Sequence, residues 1–379
     1  MAVLNNLKFL SSGFLKMASG TDTERPTPAD GLIRHNSERN TVEYGRTDAN
    51  VFLSLNKRFD FTSFRFQGRT TGNLATGPDN ASDAGYDTTT NPWITNANNP
   101  EDSPNLIFSS GRQRFTVPKK GVYRIRAVGA EGGEGSTAGT PGRGAAVEGE
   151  FYFVKDEILT IIVGQCPNAS GEGSGGGGAS AVILDPEDEP LVIAGGGGGV
   201  GDTFSGDANG VDANTGTSGT DPRGPSNGQT GGVDGDGGQG STAGGGAGFL
   251  TDGGNGSRGD GGTRLEGFAT GGGAFDGSNG LNGGGFGGGG QEGSTGDNEG
   301  GGGGGGFSGG AGGDGSNDQG GGGGGSFVSS RARNVSTSNG SLTTTGNERR
   351  SCYVGPVGNL GFYNANGNGY VDIEFLGEL

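Results

Sequence analysis

A chain of 379 residues would ordinarily divide into two or three domains, but 94 of these residues are glycine and only 28% are hydrophobic, against a usual glycine share of ~7%. The formal net charge of −17 repels phosphate backbones, which excludes nucleic acid as the expected partner. No run of 18 apolar residues occurs, so no membrane insertion is expected.

Residues 1–24 are weakly signal-like, but Lys8, Ser11, Ser12 and Lys16 interrupt the apolar part. They are therefore expected to form an N-terminal arm, with Leu4, Leu7, Phe9, Leu10, Phe14 and Leu15 available to dock on a partner. Between residues 24 and 52, Pro26 and Pro28 stiffen the chain, Asp30 and Gly31 turn it, and Leu32 and Ile33 begin a strand. A turn over residues 37–40 then returns it along Thr41 to Tyr44. That predicts one short β-hairpin, which is marginal alone and must pack on something else. Residues 51–68 alternate Phe59 and Phe61, then out of phase Phe64 and Phe66, as two strands split by a turn or bulge would. Residues 70–104 read as a long surface loop anchored by Tyr86 and Trp93.

Strands are then predicted at 113–117, 122–128, 145–154, 158–163, 179–184, 191–194, 326–328, 352–354 and 369–376. The aliphatic run 158–163 suits a strand buried on both faces, and 179–194 makes a hairpin. Arg112, Arg114, Arg124 and Arg126 alternate as one solvated sheet face would. With no helical periodicity anywhere, the pattern is all-β: an antiparallel sandwich or jelly roll. The two cysteines, Cys166 and Cys352, lack a C-x-x-C spacing, and unpaired buried thiols are the expectation.

The glycine-rich stretch 195–325 has too few apolar side chains for a core of its own, and composition alone would make it disordered. Its flanks oppose that, because the predicted strands 191–194 and 326–328 pin its ends together. Runs of five to seven glycines, as polyglycine II helices rising ~3.1 Å per residue, would span about 15–22 Å, roughly a strand's length. Lacking Cβ atoms, such helices can lie close enough to satisfy each other's backbone groups, so an ordered bundle is expected. Phe204, Phe249, Leu250, Leu265, Phe268, Phe275, Leu281, Phe286 and Phe307 punctuate the glycine. They read either as pegs against the sandwich or, for Phe249, Phe268, Phe275, Phe286 and Phe307, as loop-tip contacts to a target.

Catalytic chemistry is not nominated. The single histidine, His35, lies in the hairpin, and G-x-G-x-x-G matches arise by chance in so glycine-rich a chain. No Gly-Lys-Ser/Thr forms a phosphate loop. Ser257 to Asp260 reads Ser-Arg-Gly-Asp, taken as a chance tripeptide, and Asp207, Asp212 and Asp314 could share at most an incidental cation. No cofactor or metal site is expected, and an enzyme is set aside for want of a carboxylate pair or nucleophile set.

Two resemblances organise these readings. Arg25, Pro26, Asp30, Gly31, Ile33, Arg34, Asn36, Asn40, Glu43 and Tyr44 form a pattern that resembles a short module of bacteriophage virion proteins, notably tail fibres, whiskers and head or neck appendages. The aromatic that usually closes that module is missing, with Phe52 the nearest candidate. The order FTVPKKGVYRIRAVGAEGGEG, LTIIVGQ, GGGGAS, PLVIAGGGGG, then GGGGGGFSGG, GGGGGSFV and NGNGYVDIEF resembles the extracellular glycine-rich domain of the anaplastic lymphoma kinase and leukocyte tyrosine kinase receptors. This second resemblance implies a tumour-necrosis-factor-like β-sandwich with an inserted bundle of polyglycine II helices. Only the fold carries over, since the receptors' kinase has no counterpart in the sequence.

The expectation is a non-enzymatic virion protein of the fibre or appendage type. Residues 1–50 would form the attachment arm and hairpin, contacting other virion proteins through Arg25, Pro26, Ile33, Arg34, Asn36, Glu43 and Tyr44. Residues 51–379 would form the glycine-rich sandwich, an adhesin meeting a host-surface receptor, with a homotrimer implied by analogy. The alternative is a capsid decoration or a tail or neck accessory protein with a purely structural role.

Overall fold

The computed structural model describes residues 8–9, 15–16, 19–21, 23–24, 27, 33–37, 41–46, 51–54, 61–70, 74–88, 91–94, 106–135, 139–167, 173–202, 208–224, 228–267, 269–273, 283–294, 298–338 and 367–378. The chain divides into two compact units, Met1–Phe61 with Asn96–Ser103, and Thr62–Thr95 with Pro104–Leu379.

In the smaller unit β1 (Lys8–Phe9) pairs with β2 (Leu15–Lys16). Strands β3 (Ser19–Gly20), β4 (Ile33–Asn36), β5 (Thr41–Arg46) and β6 (Val51–Ser54) form a sheet in that order, with β3 parallel to β4 and the rest antiparallel. The expected hairpin is thus the centre of a four-stranded sheet. Two flanking strands occupy the edges that an isolated hairpin leaves unpaired.

The larger unit is governed by period-two alternation. Its strands are β7 (Ser63–Gln67), β8 (Leu106–Ser109), β9 (Arg112–Thr116), β10 (Gly121–Val128), β11 (Ala146–Phe153), β12 (Ile158–Ile162), β13 (Ser180–Asp185), β14 (Glu189–Ala194), β15 (Gly293–Ser294), β16 (Glu299–Gly300), β17 (Phe327–Val328), β18 (Arg333–Ser338) and β19 (Tyr370–Gly377). Five of them make an antiparallel sheet in the order β18-β11-β10-β19-β7, and six make a second, β17-β14-β13-β12-β9-β8. Among the described residues the only helical pieces are two three-residue 3-10 turns. This is a mostly-β unit, consistent with a β-sandwich. Strands β10 and β11 touch β14, while β10 and β19 touch β13. Tyr123, Ile125, Phe151, Phe153, Val371 and Ile373 are buried on one sheet, and Phe115, Leu159, Ile161 and Val182 on the other. Across the sheets Phe66 meets Phe115 edge-on at 5.6 Å.

The loop expected at 70–104 is anchored as its aromatics suggest. Trp93 packs edge-on against Phe64 at 4.8 Å, and the Tyr86 hydroxyl bonds the Gln113 side chain at 2.6 Å and the Gln67 amide at 2.8 Å. Burial pushes the Tyr86 phenol's pKa up.

Three expectations are corrected. The four arginines do not share a face. Arg112 and Arg114 lie on β9 and Arg124 and Arg126 on β10, in different sheets, because the turn at residues 117–120 carries the chain from one layer to the other. Cys166 is disulfide-bonded rather than a free thiol, its partner lying outside the described residues. Its amide meets the Asn368 side chain at 2.7 Å, so folding brings it beside the start of the last strand, 202 positions away. Strands β8 and β18 have no counterpart among the predicted strands, and the predicted strand 352–354 lies outside the described residues.

The glycine-rich stretch leaves the six-stranded sheet at β14 and rejoins it at β17, its direct neighbour, through the pairs Val192 with Val328 and Ile193 with Phe327. The ends of the insertion are therefore pinned together, as expected. Within it, backbone N–H groups donate sideways with a period of three. Gly196, Gly199 and Asp202 donate to Gly305, Gly302 and Glu299. Gly197 and Val200 donate to Ala130 and Gly133, and Gly198 and Gly201 to Val211 and Ala208. Each segment thus bonds three neighbours in rotation, which accounts for donors that would otherwise be buried without acceptors.

Glycine is required there for closeness rather than for dihedral freedom, since the runs 195–199, 300–306 and 320–325 hold no left-handed residue. A Cβ on Gly198 would fall within 3.0 Å of the Gly321 carbonyl oxygen, and one on Gly304 within 3.0 Å of that of Gly196. Gly198→Ala and Gly304→Ala should each cost about 1–3 kcal/mol through overpacking. Gly216→Ala, whose new carbon would meet nothing nearer than 3.5 Å, should be close to neutral. Thermal unfolding of the three variants checks this, and equal effects would overturn the close-packing account.

The Tyr123 hydroxyl donates to the Lys119 carbonyl at 2.7 Å. Burial pushes its pKa up to about 12, with the Lys119 bond acting the other way. The folded state thus favours the neutral phenol. The stability this contributes is fully present below the unfolded value of about 10 and is lost as pH rises from there toward the folded value. The margin between wild type and Tyr123→Phe should narrow over that window in thermal unfolding, and parallel curves would contradict the assignment.

Candidate functional site

The six-stranded sheet is apolar on both faces. Leu159 and Ile161 face the sandwich interior, while Ile162, Ala181, Ile183 and Ile193 face outward into a second cluster. Phe249, Leu265, Ala269 and Phe286, all from the glycine-rich insertion, cover that outer face, with Phe307 and Phe327 packed at its margin. The run at 158–163 is therefore buried on both sides, as its sequence predicts. Phe307 stacks on Phe327 at 4.6 Å and on Phe249 at 6.4 Å.

Where this covered face ends, a cavity of about 390 Å³ opens. The β8–β9 hairpin builds one wall: its two-residue turn, Ser110 and Gly111, has positive φ at both positions, the geometry of a tight hairpin turn. Only glycine fits at Gly111, because a Cβ there would strike the Gly77 backbone and the Phe286 ring. Strand alternation then puts Arg112 and Arg114 on the same outward face, with Thr160 of β12 directly opposite Arg114. Arg114 donates through Nε and Nη2 to Asp185 Oδ2 at 3.1 and 2.9 Å. The Thr160 hydroxyl donates to both Asp185 oxygens at 3.0 and 3.1 Å.

Arg112 is held differently. Its Nη2 donates to the Leu265 carbonyl of the insertion at 2.7 Å, and no carboxylate lies within ion-pair distance of it among the described residues. Burial lowers its pKa, against the attraction of Asp188 and Asp185. Ser109, Ser110, Pro186, Asp188 and Gly267 complete the lining. The cavity therefore offers one guanidinium with donors to spare, an internal ion pair, hydroxyls and an exposed carboxylate at Asp188.

In sequence the alternation Arg112, Gln113, Arg114 reads as one solvated sheet face. The partner set comes from far away: Asp185 two strands off and the Leu265 carbonyl 153 positions along the chain. Such juxtapositions have no local signal.

Of the residues expected to attach the particle, Ile33, Arg34 and Asn36 lie on β4. Glu43 and Tyr44 lie opposite on β5, with Ile33 paired to Tyr44 and Arg34 to Glu43. Arg25 and Pro26 lie outside the described residues. Ile33 is 47% exposed, whereas Arg34 is buried and donates to the Thr21 carbonyl at 2.9 Å. Arg34 thus holds the turn in which the Thr21 amide and hydroxyl bond Glu24 and, with Arg34 itself, keep that carboxyl's pKa below its usual value. His35 Nδ1 lies 3.1 Å from the Ser19 hydroxyl.

Of the phenylalanines expected at loop tips, Phe249 and Phe286 are buried pegs and Phe307 is partly buried beside them. That is the peg alternative: the outward face of the sheet needs apolar cover and these side chains provide it. Phe268 and Phe275 lie outside the described residues. Asp212 accepts from the Arg143 amide and Asp314 caps a 3-10 turn through the Ser316 amide, while Asp207 lies outside the described residues. Among the described residues no group of three His, Cys, Asp or Glu is placed to hold a metal ion. No protein-family model matches the chain.

Phe286→Ala should destabilise the larger unit by about 3–5 kcal/mol, the cost of truncating a buried phenylalanine. Chemical denaturation measures it, and a loss below about 1 kcal/mol would mean that the insertion does not seal the sheet.

Proposed function

We propose that this chain is a non-enzymatic structural protein of a bacteriophage virion, of the fibre or appendage type. Its N-terminal unit attaches to other virion proteins, and its glycine-rich unit meets the host surface. The observation that carries this reading is the division of labour in the chain. Of the residues that resemble the phage module, those described, from Ile33 to Tyr44, fall in the smaller compact unit, and the glycine-rich insertion belongs entirely to the other unit.

In finer terms, the sandwich is taken as a tumour-necrosis-factor-like jelly roll and the insertion as a bundle of polyglycine II helices. Support comes from the period of three in the lateral hydrogen bonds and from carbonyl groups seated where a Cβ would stand. A bundle locked in this way is a stiff platform, and recognition sites are commonly set on loops and clefts of stiff scaffolds.

Deleting residues 1–50 should abolish incorporation into particles. The purified full chain should bind intact host cells or extracted envelope. Particles that retain the truncated chain would overturn the attachment claim. Incorporation of the full chain without any envelope binding would move the assignment to a purely structural role.

A further inference from the structure

We propose that the Arg112 cavity binds a carboxylate-bearing sugar, of the uronic-acid type, as a unit of a surface polymer. The sugar class deepens the host-surface reading above and rests on it; the existence of the binding site does not.

Four features select this ligand. The cavity's volume of about 390 Å³ lies within the roughly 300–1,000 Å³ typical of small-molecule sites. The Arg112 guanidinium lines it, tied down at one nitrogen by Leu265. A planar guanidinium presents paired donors that match a carboxylate. Arg114 cannot take that part, because Asp185 already occupies it and Thr160 holds Asp185 in turn.

The rest of the lining decides against other anions. Two arginines face two aspartates, so the site is balanced before a ligand arrives; a dianionic phosphate would double both the attraction and the repulsion it meets there, so its extra charge gives it no advantage over a monoanion and the hydroxyl-accepting groups decide. Asp188 and the Ser109 and Ser110 hydroxyls offer acceptors that a fatty or simple aliphatic acid could not use but sugar hydroxyls can. Pro186 adds an apolar surface for the ring's C–H face.

The test is titration of the purified full chain with glucuronate, glucose and inorganic phosphate, followed by ligand-observed NMR. Glucuronate should bind, and glucose and phosphate should bind at least about tenfold more weakly. Arg112→Met should weaken glucuronate binding by about tenfold or more, the scale of a lost charge-assisted pair. Asp188→Asn guards against a variant that fails to fold. Asp188 has φ 52°, where asparagine is well tolerated, and removing its charge while keeping an acceptor should tighten glucuronate binding by about two- to fivefold. Phosphate preferred over glucuronate, glucose bound equally well, no glucuronate binding, or unchanged affinity in both variants would each overturn the site. Glucuronate binding that responds to both variants, with no binding of host envelope, would uphold the site and overturn the attachment reading instead.

Discussion

The larger unit depends on backbone groups meeting other backbone groups at distances that a side chain would forbid. Each glycine segment rotates its N–H donors through three neighbours, and each neighbour's carbonyl sits where a Cβ would otherwise stand. A net hydrogen bond contributes only about 1 kcal/mol, but a buried donor without an acceptor costs about 1–3 kcal/mol. Interior packing of this kind therefore tolerates almost no defects. The same rule explains how a chain with 28% hydrophobic residues forms an interior at all: over much of the insertion, buried surface is main chain, satisfied by main chain.

That lattice would float free without the six-stranded sheet. Strands β14 and β17 fix its two ends side by side, and the outward face of β12 and β13 gives it an apolar floor. The dependence runs both ways, since Ile162, Ala181, Ile183 and Ile193 would be exposed without Phe249, Leu265 and Phe286 above them. Burying side chains of this size contributes about 1.5–3 kcal/mol each, which joins the insertion and the sandwich into one cooperative structure. The Arg112 cavity opens at the edge of this seam, with strand residues on one side and Leu265 and Gly267 of the insertion on the other.

Much of this was legible where the chain alternates. Tyr123, Ile125 and Ala127 on β10, or Phe151 and Phe153 on β11, announce an inner face by period two, and the unbroken aliphatics of β12 announce two buried faces. Legibility fails where burial does not drive the strand. The described side chains of β18 are exposed from Arg333 to Thr337, so its sequence RNVSTS carries no apolar rhythm. Strand β3 is only two residues long, and its pairing beside β4 is a contact between segments 16 positions apart. The phenylalanines of the insertion were legible as apolar but not as inward or outward, because glycine-rich segments have no facing rule comparable to that of a strand.

The arginines show the same limit in electrostatic form. On β10, Arg124 lies 3.0 Å from Glu150 and from Glu374, pairs that cross to neighbouring strands on a face open to water. Exposed pairs of that kind contribute about 0–1 kcal/mol, and they neutralise charge on a chain of −17 more than they hold it together. On β9 the same residue type occurs at the same spacing, but there Arg114 is neutralised by Asp185, while Arg112 reaches the insertion at the Leu265 carbonyl and has no carboxylate within ion-pair reach among the described residues. In sequence the two pairs are equivalent. What separates them is the turn at residues 117–120, which puts one pair on the five-stranded sheet and the other on the six-stranded sheet, where Arg112 donates to the Leu265 carbonyl of the insertion.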